Sequence, residues 1–516
     1  MAERTTNQSL VIGIDFGTTF SGIAWAIMDD QKSVQVISSW PGSGNRSSVK
    51  TPTVMAFLED RFLWGWQALA LSPEPIRGVK LLLDESQSYR YSPSLNANKL
   101  LGAMKKSPVD IASEYLKALA HTNEMLERRL GSAYNDMDRK FVLTVPAVWS
   151  DKAKDNTLKA AINAGIPEHR LALLSEPEAA ALYTLRAIQP NTIKKNDTFI
   201  VCDAGGGTVD LNSYRVHDLS PLSLEEVVEG TGGFTGTDCE DDFDYVGWRL
   251  PLPGTEDNGE IELEGGYLQL SKSQIQGVFD PVVQDVLSLV HTQVRRIRVA
   301  GLPLQAILLV GGFGSCEYLY RRLRRAYPRI TVIQPQDAWQ AIACGAVLRG
   351  IEGNQVRNRL ARSHYGVKYC VTYNAELHNR NEAHWCRFRE KLLVSNIMRW
   401  FISKGTPISE NEPVRKRFCR KLVCDVEASL IFREGLYFSS SEMTPYKLSN
   451  DVNHLCDLRV DLRAVPKELF KRRTNSTGLS YYSIDFDLAI IPTSGYMYFQ
   501  VEFNGTTYGK VQAEYY

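Results

Sequence analysis

The 516-residue chain lacks a surplus of charge: 59 Lys and Arg stand against 59 Asp and Glu. Without a net field to draw a polyanion, no nucleic-acid partner is expected. No apolar run approaches the ~18 residues of a membrane span, so no membrane partner is expected either. The opening MAERTTNQSL has no apolar core behind a basic stretch and does not read as a secretory signal. The nine cysteines are odd in number and scattered, with no C-x-x-C pair, which fits a reducing compartment. A cytoplasmic location is expected, with the nucleus as the alternative. Low-complexity tracts are missing, and no internal repeat is visible by eye.

What is present is a globular composition, 44% hydrophobic and 23% charged, on a chain long enough for several domains. Up to about residue 350, strand-like runs alternate with helical patterns. Leu10–Ile14, Ser21–Met28 and Val34–Trp40 read as strands between short turns. Asp110–Leu130 reads as one amphipathic helix stopped by Gly131. Phe141–Trp149 reads as a strand, followed by a helix from Asp151 with Ser150 as N-cap and Gly165 as terminator. Strands at Leu171–Leu174, Thr198–Asp203 and Ala306–Val310, with a helix over Pro177–Arg186, continue the alternation expected of sheets covered by helices. From about Ala361 the runs YGVKYCVTY, SYYSIDFDLAII and YMYFQVEF turn β-rich.

Three turns carry chemistry. Asp15-Phe16-Gly17-Thr18-Thr19 lies between two strands. Gly17 permits close approach of a phosphate to backbone N–H groups, the threonine hydroxyls add donors, and Asp15 can hold magnesium through its waters. Alone, this loop also reads as a plain hairpin turn. Asp203-Ala204-Gly205-Gly206-Gly207-Thr208-Val209-Asp210 follows the strand TFIVC. Three successive glycines weaken a hairpin unless something needs that backbone bare, although a glycine-rich bulge is the simpler alternative. Leu308-Leu309-Val310-Gly311-Gly312-Phe313-Gly314-Ser315 runs from strand through a glycine pair into a basic helix, a weak signal by itself.

In this order, with Ser-Glu-Pro-Glu-Ala-Ala before the second loop and Asp337-Ala-Trp-Gln-Ala-Ile-Ala-Cys-Gly-Ala346 after the third, the motifs resemble the seventy-kilodalton heat-shock branch of the actin-like ATPases. The resemblance covers about Leu10–Gly350. It is closest to the divergent group without an ordinary peptide-binding half. It implies an α/β, two-lobed actin-like (ribonuclease H-like) fold with a β-rich C-terminal appendage. The expected division is 1–190 for the first lobe, 191–352 for the second with a shortened clamp subdomain, and 353–516 for the β-rich region.

The resemblance also implies ATP or ADP with Mg2+ as cofactors. Asp15 and Asp203 would flank the hydrated metal. Gly17, Thr18, Thr19, Gly205, Gly206, Gly207 and Thr208 would grip the phosphates. Glu176 would help order the attacking water, with Asp210 as a second carboxylate near it. As a first-turn residue beside Pro177, Glu176 also reads as an ordinary helix-dipole carboxylate. Gly311, Gly312 and Asp337 would stand on the nucleoside side. Phosphoryl transfer asks mainly for positioning and charge compensation. Client or co-chaperone proteins would be the further partners.

Departures from the family qualify this. The stretch Trp64–Ala70 has no lysine where the family carries one that reaches the transferred phosphate. Lys80, the nearest downstream, reads as part of a following strand or helix. Loss of such a group costs ~10²–10⁴-fold in rate. After Gly232-Gly233 the family has helices that clamp adenine. Here the acidic stretch Asp238–Asp244 and WRLPLPGTEDNGE lead quickly to a strand at Glu260–Leu270. A helix over Ser273–Val294 follows, with an apolar stripe at Ile275, Val278, Phe279, Val282, Val286 and Val290. Phe313 and Ser315 replace a polar residue and an arginine expected against adenine.

His378, His384 and Cys386 have metal-ligand chemistry, but scattered surface residues explain them more simply. Arg415–Arg417 and Lys471–Arg473 are basic runs that read as solvated faces. The readings that follow are a slow Mg-dependent ATPase with chaperone-like function, a nucleotide-binding scaffold with negligible turnover, and a small-molecule kinase of the same fold, for which no acceptor site is marked.

Overall fold

Two glycine-turned hairpins organise the first 356 residues. Strand β1 (Ser9–Phe16) returns as β2 (Phe20–Ile27) in antiparallel register, Ile14 opposite Ile23. The computed structural model describes residues 9–28, 34–45, 47–58, 61–85, 92–120, 123–187, 193–234, 248–252, 255–423 and 430–515. Both hairpin strands are buried on both faces, which is why they read as continuous apolar runs rather than alternating ones. On the far side of β1 lie β3 (Asp138–Val145) and β4 (Leu171–Ser175), both parallel, with Ile14 beside Leu143 and Leu143 beside Leu173.

The second sheet repeats this plan. Strand β5 (Thr198–Ala204) turns at its glycines and returns antiparallel as β6 (Thr208–Leu219), which pairs with β7 (Leu222–Phe234). Strands β8 (Leu304–Val310) and β9 (Thr331–Ile333) extend it in parallel on the other side of β5. The strand orders correspond, β2-β1-β3-β4 in one lobe and β6-β5-β8-β9 in the other. The repeat escapes a reading of the sequence because the two hairpins share little beyond an Asp-x-Gly at the turn.

Helices cover these sheets. A short α1 (Val79–Leu82) follows Gly78, whose φ is +69°. The expected helix over Asp110–Leu130 is helical in its described residues, α2 (Pro108–Ala120) and Asn123–Leu130, with residues 121–122 outside the described ones. Helix α3 (Asp151–Asn163) begins where the Ser150 Oγ accepts the Ala153 N–H at 3.2 Å. Helix α4 (Glu176–Ala187) starts at Glu176 itself, directly after β4. The stretch Val34–Trp40 is a strand only at Gln35–Val36.

In the second lobe α5 (Lys272–Val299) carries a capping box, with Ser271 Oγ accepting from the Gln274 N–H and the Gln274 side chain accepting from the Ser271 N–H. Its buried stripe is Ile275, Phe279, Val283, Val286, Val290, Val294 and Ile297. Val278, expected in that stripe, is 66% exposed, because the 3.6-residue period carries it past the packed face. After β8 come α6 (Glu317–Ala326) and, beyond β9, α7 (Ala341–Glu352). Alanines of α4 (Ala179–Ala181) and of α7 (Ala341, Ala343, Ala346) join Val11, Val142, Leu174, Phe199, Val201 and Leu308 in one core that links the two lobes behind the turns.

Between β7 and α5, the described residues form a small antiparallel sheet of Trp248–Pro251, Leu263–Glu264 and Tyr267–Leu270, and no α-helix. The acidic stretch Asp238–Asp244 lies outside the described residues.

Residues 357–516 form a separate unit. Its main sheet is antiparallel throughout, and the sequence runs singled out above are the strands His364–Thr372, Ser480–Pro492 and Met497–Phe503. No α-helix occurs among its described residues. The basic runs lie on two of the three strands paired with Ser480–Pro492, and Arg415, Arg417 and Lys471 are held by Glu502, Asp487 and Asp485. His378 is buried, with its Nδ1 accepting from the Asn374 N–H and its Nε2 3.0 Å from the Tyr446 hydroxyl, while His384 is exposed. No group of three or more His, Cys, Asp or Glu among the described residues is arranged to hold a metal.

Candidate functional site

The two hairpin turns meet face to face. A Cβ on Gly206 would lie 2.5 Å from the Thr19 hydroxyl, and one on Gly207 would lie 2.6 Å from the Thr18 methyl. Only glycine lets the second turn approach the first this closely. The Gly205 N–H donates to the Thr208 carbonyl at 2.9 Å and closes the turn on itself. Behind the first turn, the Thr53 N–H donates to the Thr19 carbonyl at 2.7 Å, which fixes that loop to the strand entering at Thr51. The cleft between them is lined by Asp15, Gly17, Thr18, Thr19, Glu176, Asp203, Gly205, Gly206, Gly207, Thr208, Gly311 and Gly312. Twelve of the fourteen sequence-selected residues are thus brought together; Asp210 and Asp337 are not among the lining residues.

Two lysines that the sequence reading did not place here stand in the same cleft. Lys80 on α1 is 2% exposed and donates from Nζ to Glu176 Oε1 at 2.6 Å. The Trp149 ring, 5.5 Å from that ammonium, adds a cation–π contact. Lys50, immediately before the strand Thr51–Pro52, has its Nζ 2.7 Å from Asp15 Oδ2. Lys80 is the nearest lysine downstream of Trp64–Ala70 and lies on a helix, one of the two placements its sequence suggests, and its signal is a lysine inside the apolar run Val79–Leu83. Lys50 has a comparable signal, a lysine next to the wholly buried Thr51.

The carboxylates are crowded. Asp203, one residue before the end of β5, pairs across the ladder with Asp210, the third residue of β6. Burial pushes the Asp203 carboxyl well above the usual range, and Glu176, Asp210 and Asp15 push it further. Glu176 is also raised by burial, with Lys80 opposing the rise. Asp210 is 1% exposed and its Oδ1 accepts from the Val148 N–H at 3.4 Å, one layer behind the cleft. This arrangement disfavours further negative charge unless a cation or donor accompanies it.

The nucleoside side differs from expectation. Gly311 has φ +91°, and a Cβ there would lie 2.4 Å from both the Ala204 carbonyl and Asp203 Oδ1, so no side chain fits. Gly312 faces the Trp339 ring at ordinary contact distance. Trp339 packs edge-on against Phe20, centroids 5.4 Å apart, and lines the cleft with Ile342. Asp337 is exposed. Phe313 is not offered to a ligand: it is 1% exposed and packs in the core against Phe279. Ser315 turns its hydroxyl back onto the Gly312 carbonyl at 2.6 Å. The cavity itself is about 50 Å³, room for a few waters or a phosphate group but far below the several hundred Å³ of a nucleotide-sized pocket.

Comparison with known proteins points to one family. The family model for Hsp70 proteins matches residues 92–218. Heat shock 70 kDa protein 12A of Mus musculus is 22% identical over 588 residues, an alignment that takes in 88% of this chain and 85% of that protein. The chain is a divergent member of the Hsp70 family. Heat shock 70 kDa protein 12B of Homo sapiens is 22% identical over 81% of the chain and 79% of its own length. The chaperone protein HscA homolog of Vibrio vulnificus (strain YJ016) is 28% identical, but over only 66% of this chain and 58% of that protein. The Hsp70 membership and the paired hairpin sheets together define an actin-like, two-lobed α/β ATPase-type fold.

Proposed function

We propose that this Hsp70-family chain binds ATP and ADP between its two glycine turns and hydrolyses ATP slowly, as part of a chaperone-like cycle. One observation carries the reading: Asp15, Asp203, Glu176 and two ammonium groups converge on the gap between the Thr18–Thr19 and Gly205–Gly207 turns. Bare backbone supplies N–H donors to phosphate oxygens, and the lysines compensate their charge. Glu176, held by Lys80, is the group to orient a water, while Asp210 supports the opposite wall. The small cavity implies that the lobes part to admit nucleotide and close on its phosphates.

Magnesium fits this donor set on the Asp203 side. Asp203 is the carboxylate whose ionised form is most penalised by its surroundings, and a cation beside it relieves that penalty. When bound beside Asp203, the ion would supply positive charge to offset that of the phosphates. Asp15 is already engaged by Lys50.

A second reading, a nucleotide-binding scaffold with negligible turnover, is favoured by one feature. The carboxylate of Glu176 is tied to Lys80 at 2.6 Å rather than left open to a water. Single-turnover hydrolysis of labelled ATP, beside calorimetric binding of ATP and ADP with magnesium, separates the two. Binding with product formation supports the ATPase, binding without it supports the scaffold, and no binding overturns both. Protein clients or co-chaperones are the further partners we propose. A reducing, cytoplasmic or nuclear location is consistent with buried free thiols at Cys202, Cys316, Cys344 and Cys456. No helix among the described residues is long and apolar enough to cross a membrane.

A further inference from the structure

A lysine stands where the first phosphate turn would be expected to meet a hydrated metal. Lys50 is 7% exposed, and its Nζ lies 2.7 Å from Asp15 Oδ2. An ammonium carries three N–H donors, of which this contact with Asp15 takes one, and Lys50 lines the same cavity as both glycine turns. Its position is built in. The Lys50 stem lies over Gly22, where a Cβ would come within 3.1 Å of Lys50 Cγ, and Gly22 is the cross-strand partner of Asp15. The Ser48 hydroxyl donates to the Lys50 carbonyl at 2.7 Å, and the next residue, Thr51, pairs with Ser21 of β2. On its open side the ammonium is 5.6 Å from the Trp339 ring centroid.

Charge decides what this lysine does. The cavity lining holds three carboxylates, Asp15, Glu176 and Asp203, against two ammoniums, Lys50 and Lys80. Lys80 is spent on Glu176. Without Lys50, a polyphosphate would enter beside two uncompensated carboxylates and would need a divalent ion for each approach. With it, the Asp15 wall already presents positive charge and donors.

We propose that Lys50 is a built-in cation of the phosphate site, so that nucleoside triphosphate binding in this chain survives removal of divalent metal. The inference rests on the nucleotide reading above and refines it: metal assists on the Asp203 wall only, and Lys50 replaces it on the Asp15 wall. An ammonium–phosphate hydrogen bond in a desolvated cleft is worth roughly tenfold to a hundredfold in affinity.

The experiment is calorimetric binding of ATP to the full chain, in magnesium and in excess EDTA, for wild type, Lys50→Met and Lys50→Arg. Wild type should lose less than about tenfold in EDTA, and Lys50→Arg should follow it. Lys50→Met should lose a further ~10- to 100-fold in EDTA and recover most of it in magnesium. Wild-type binding that collapses in EDTA overturns the inference while leaving the nucleotide reading in place. So does a Lys50→Met protein that binds in EDTA as tightly as wild type. Absence of ATP binding to wild type under both conditions overturns the nucleotide reading itself, and the inference with it. Should Lys50→Met fail to fold, the comparison of wild type in magnesium and in EDTA decides alone.

Discussion

Lys80 and Glu176, 96 residues apart in sequence, form a buried ion pair 2.6 Å long at the back of the cleft. Each reaches the other because α1 follows the left-handed Gly78 and α4 begins without a linker after β4. Breaking such a pair from one side leaves a charge in low dielectric and costs about 3–5 kcal/mol, whereas removing both partners costs far less. Thermal melts of Lys80→Met, Glu176→Gln and the double variant check this. Each single variant should be clearly destabilised, and the double should regain much of the loss. Additive losses would mean that the two side chains do not depend on each other. In ATP turnover, Lys80→Met should fall by ~10²–10⁴-fold with nucleotide affinity changed much less.

Asp203 predicts the opposite balance of stability and binding. Its charge is buried among Glu176, Asp210 and Asp15, so neutralising it relieves strain in the folded protein. Asp203→Ala should therefore melt no lower than wild type, while the magnesium-dependent part of ATP affinity disappears. Calorimetry with magnesium and with EDTA reads this directly. Unchanged magnesium dependence in the variant would remove Asp203 from the metal's wall.

The parts of this site legible in the sequence are those whose chemistry is local. A glycine turn after a buried strand needs no tertiary knowledge to be read as a phosphate loop, and both turns converge as their composition suggests. Lys50 and Lys80 were illegible for the converse reason: a lysine in an apolar run acquires meaning only from the carboxylate opposite it, and that partner is set by sheet order. Phe313 shows the same limit. The resemblance implies a polar residue against adenine at this position, but the short turn there rotates the Phe313 ring into the core beneath α5. Val278 is apolar like its neighbours in α5, but the helical period carries it off the packed stripe. The doubled hairpin plan is visible only in strand order, since backbone pairing, not residue identity, is what the two lobes share.

Thiol reactivity tests whether the core linking the lobes is closed. Burial pushes the Cys202 thiol far up and raises Cys344 to about 12, so neither offers thiolate near neutral pH. Cys370 and Cys419 are exposed. Iodoacetamide under native conditions, followed by peptide mass spectrometry, should modify Cys370 and Cys419 well before Cys202 and Cys344. Equal rates would mean that the sheets carrying Cys202 and α7 open on the labelling timescale.

Base selectivity is the last expectation, and it follows from what surrounds Gly311 and Gly312. The Hsp70 resemblance leads one to expect helices that close charged groups over adenine after β7. The described residues between β7 and α5 build three short strands and no α-helix, and Phe313 is withdrawn into the core. What remains beside Gly312 is the Trp339 ring. An aromatic face stacks on any base and reads none of the edges that distinguish adenine from guanine, contributing about 1–3 kcal/mol regardless of identity. Each lost edge hydrogen bond nets about 0.5–1.5 kcal/mol, so losing two or three weakens adenine preference by on the order of tenfold to a thousandfold. ATP and GTP should therefore bind within about tenfold of each other and leave quickly in stopped-flow release. Trp339→Ala should weaken both by a similar factor, ~5- to 100-fold. Tight, adenine-selective binding, or a Trp339→Ala variant that loses ATP but not GTP, would show that edge-reading groups do close over the base.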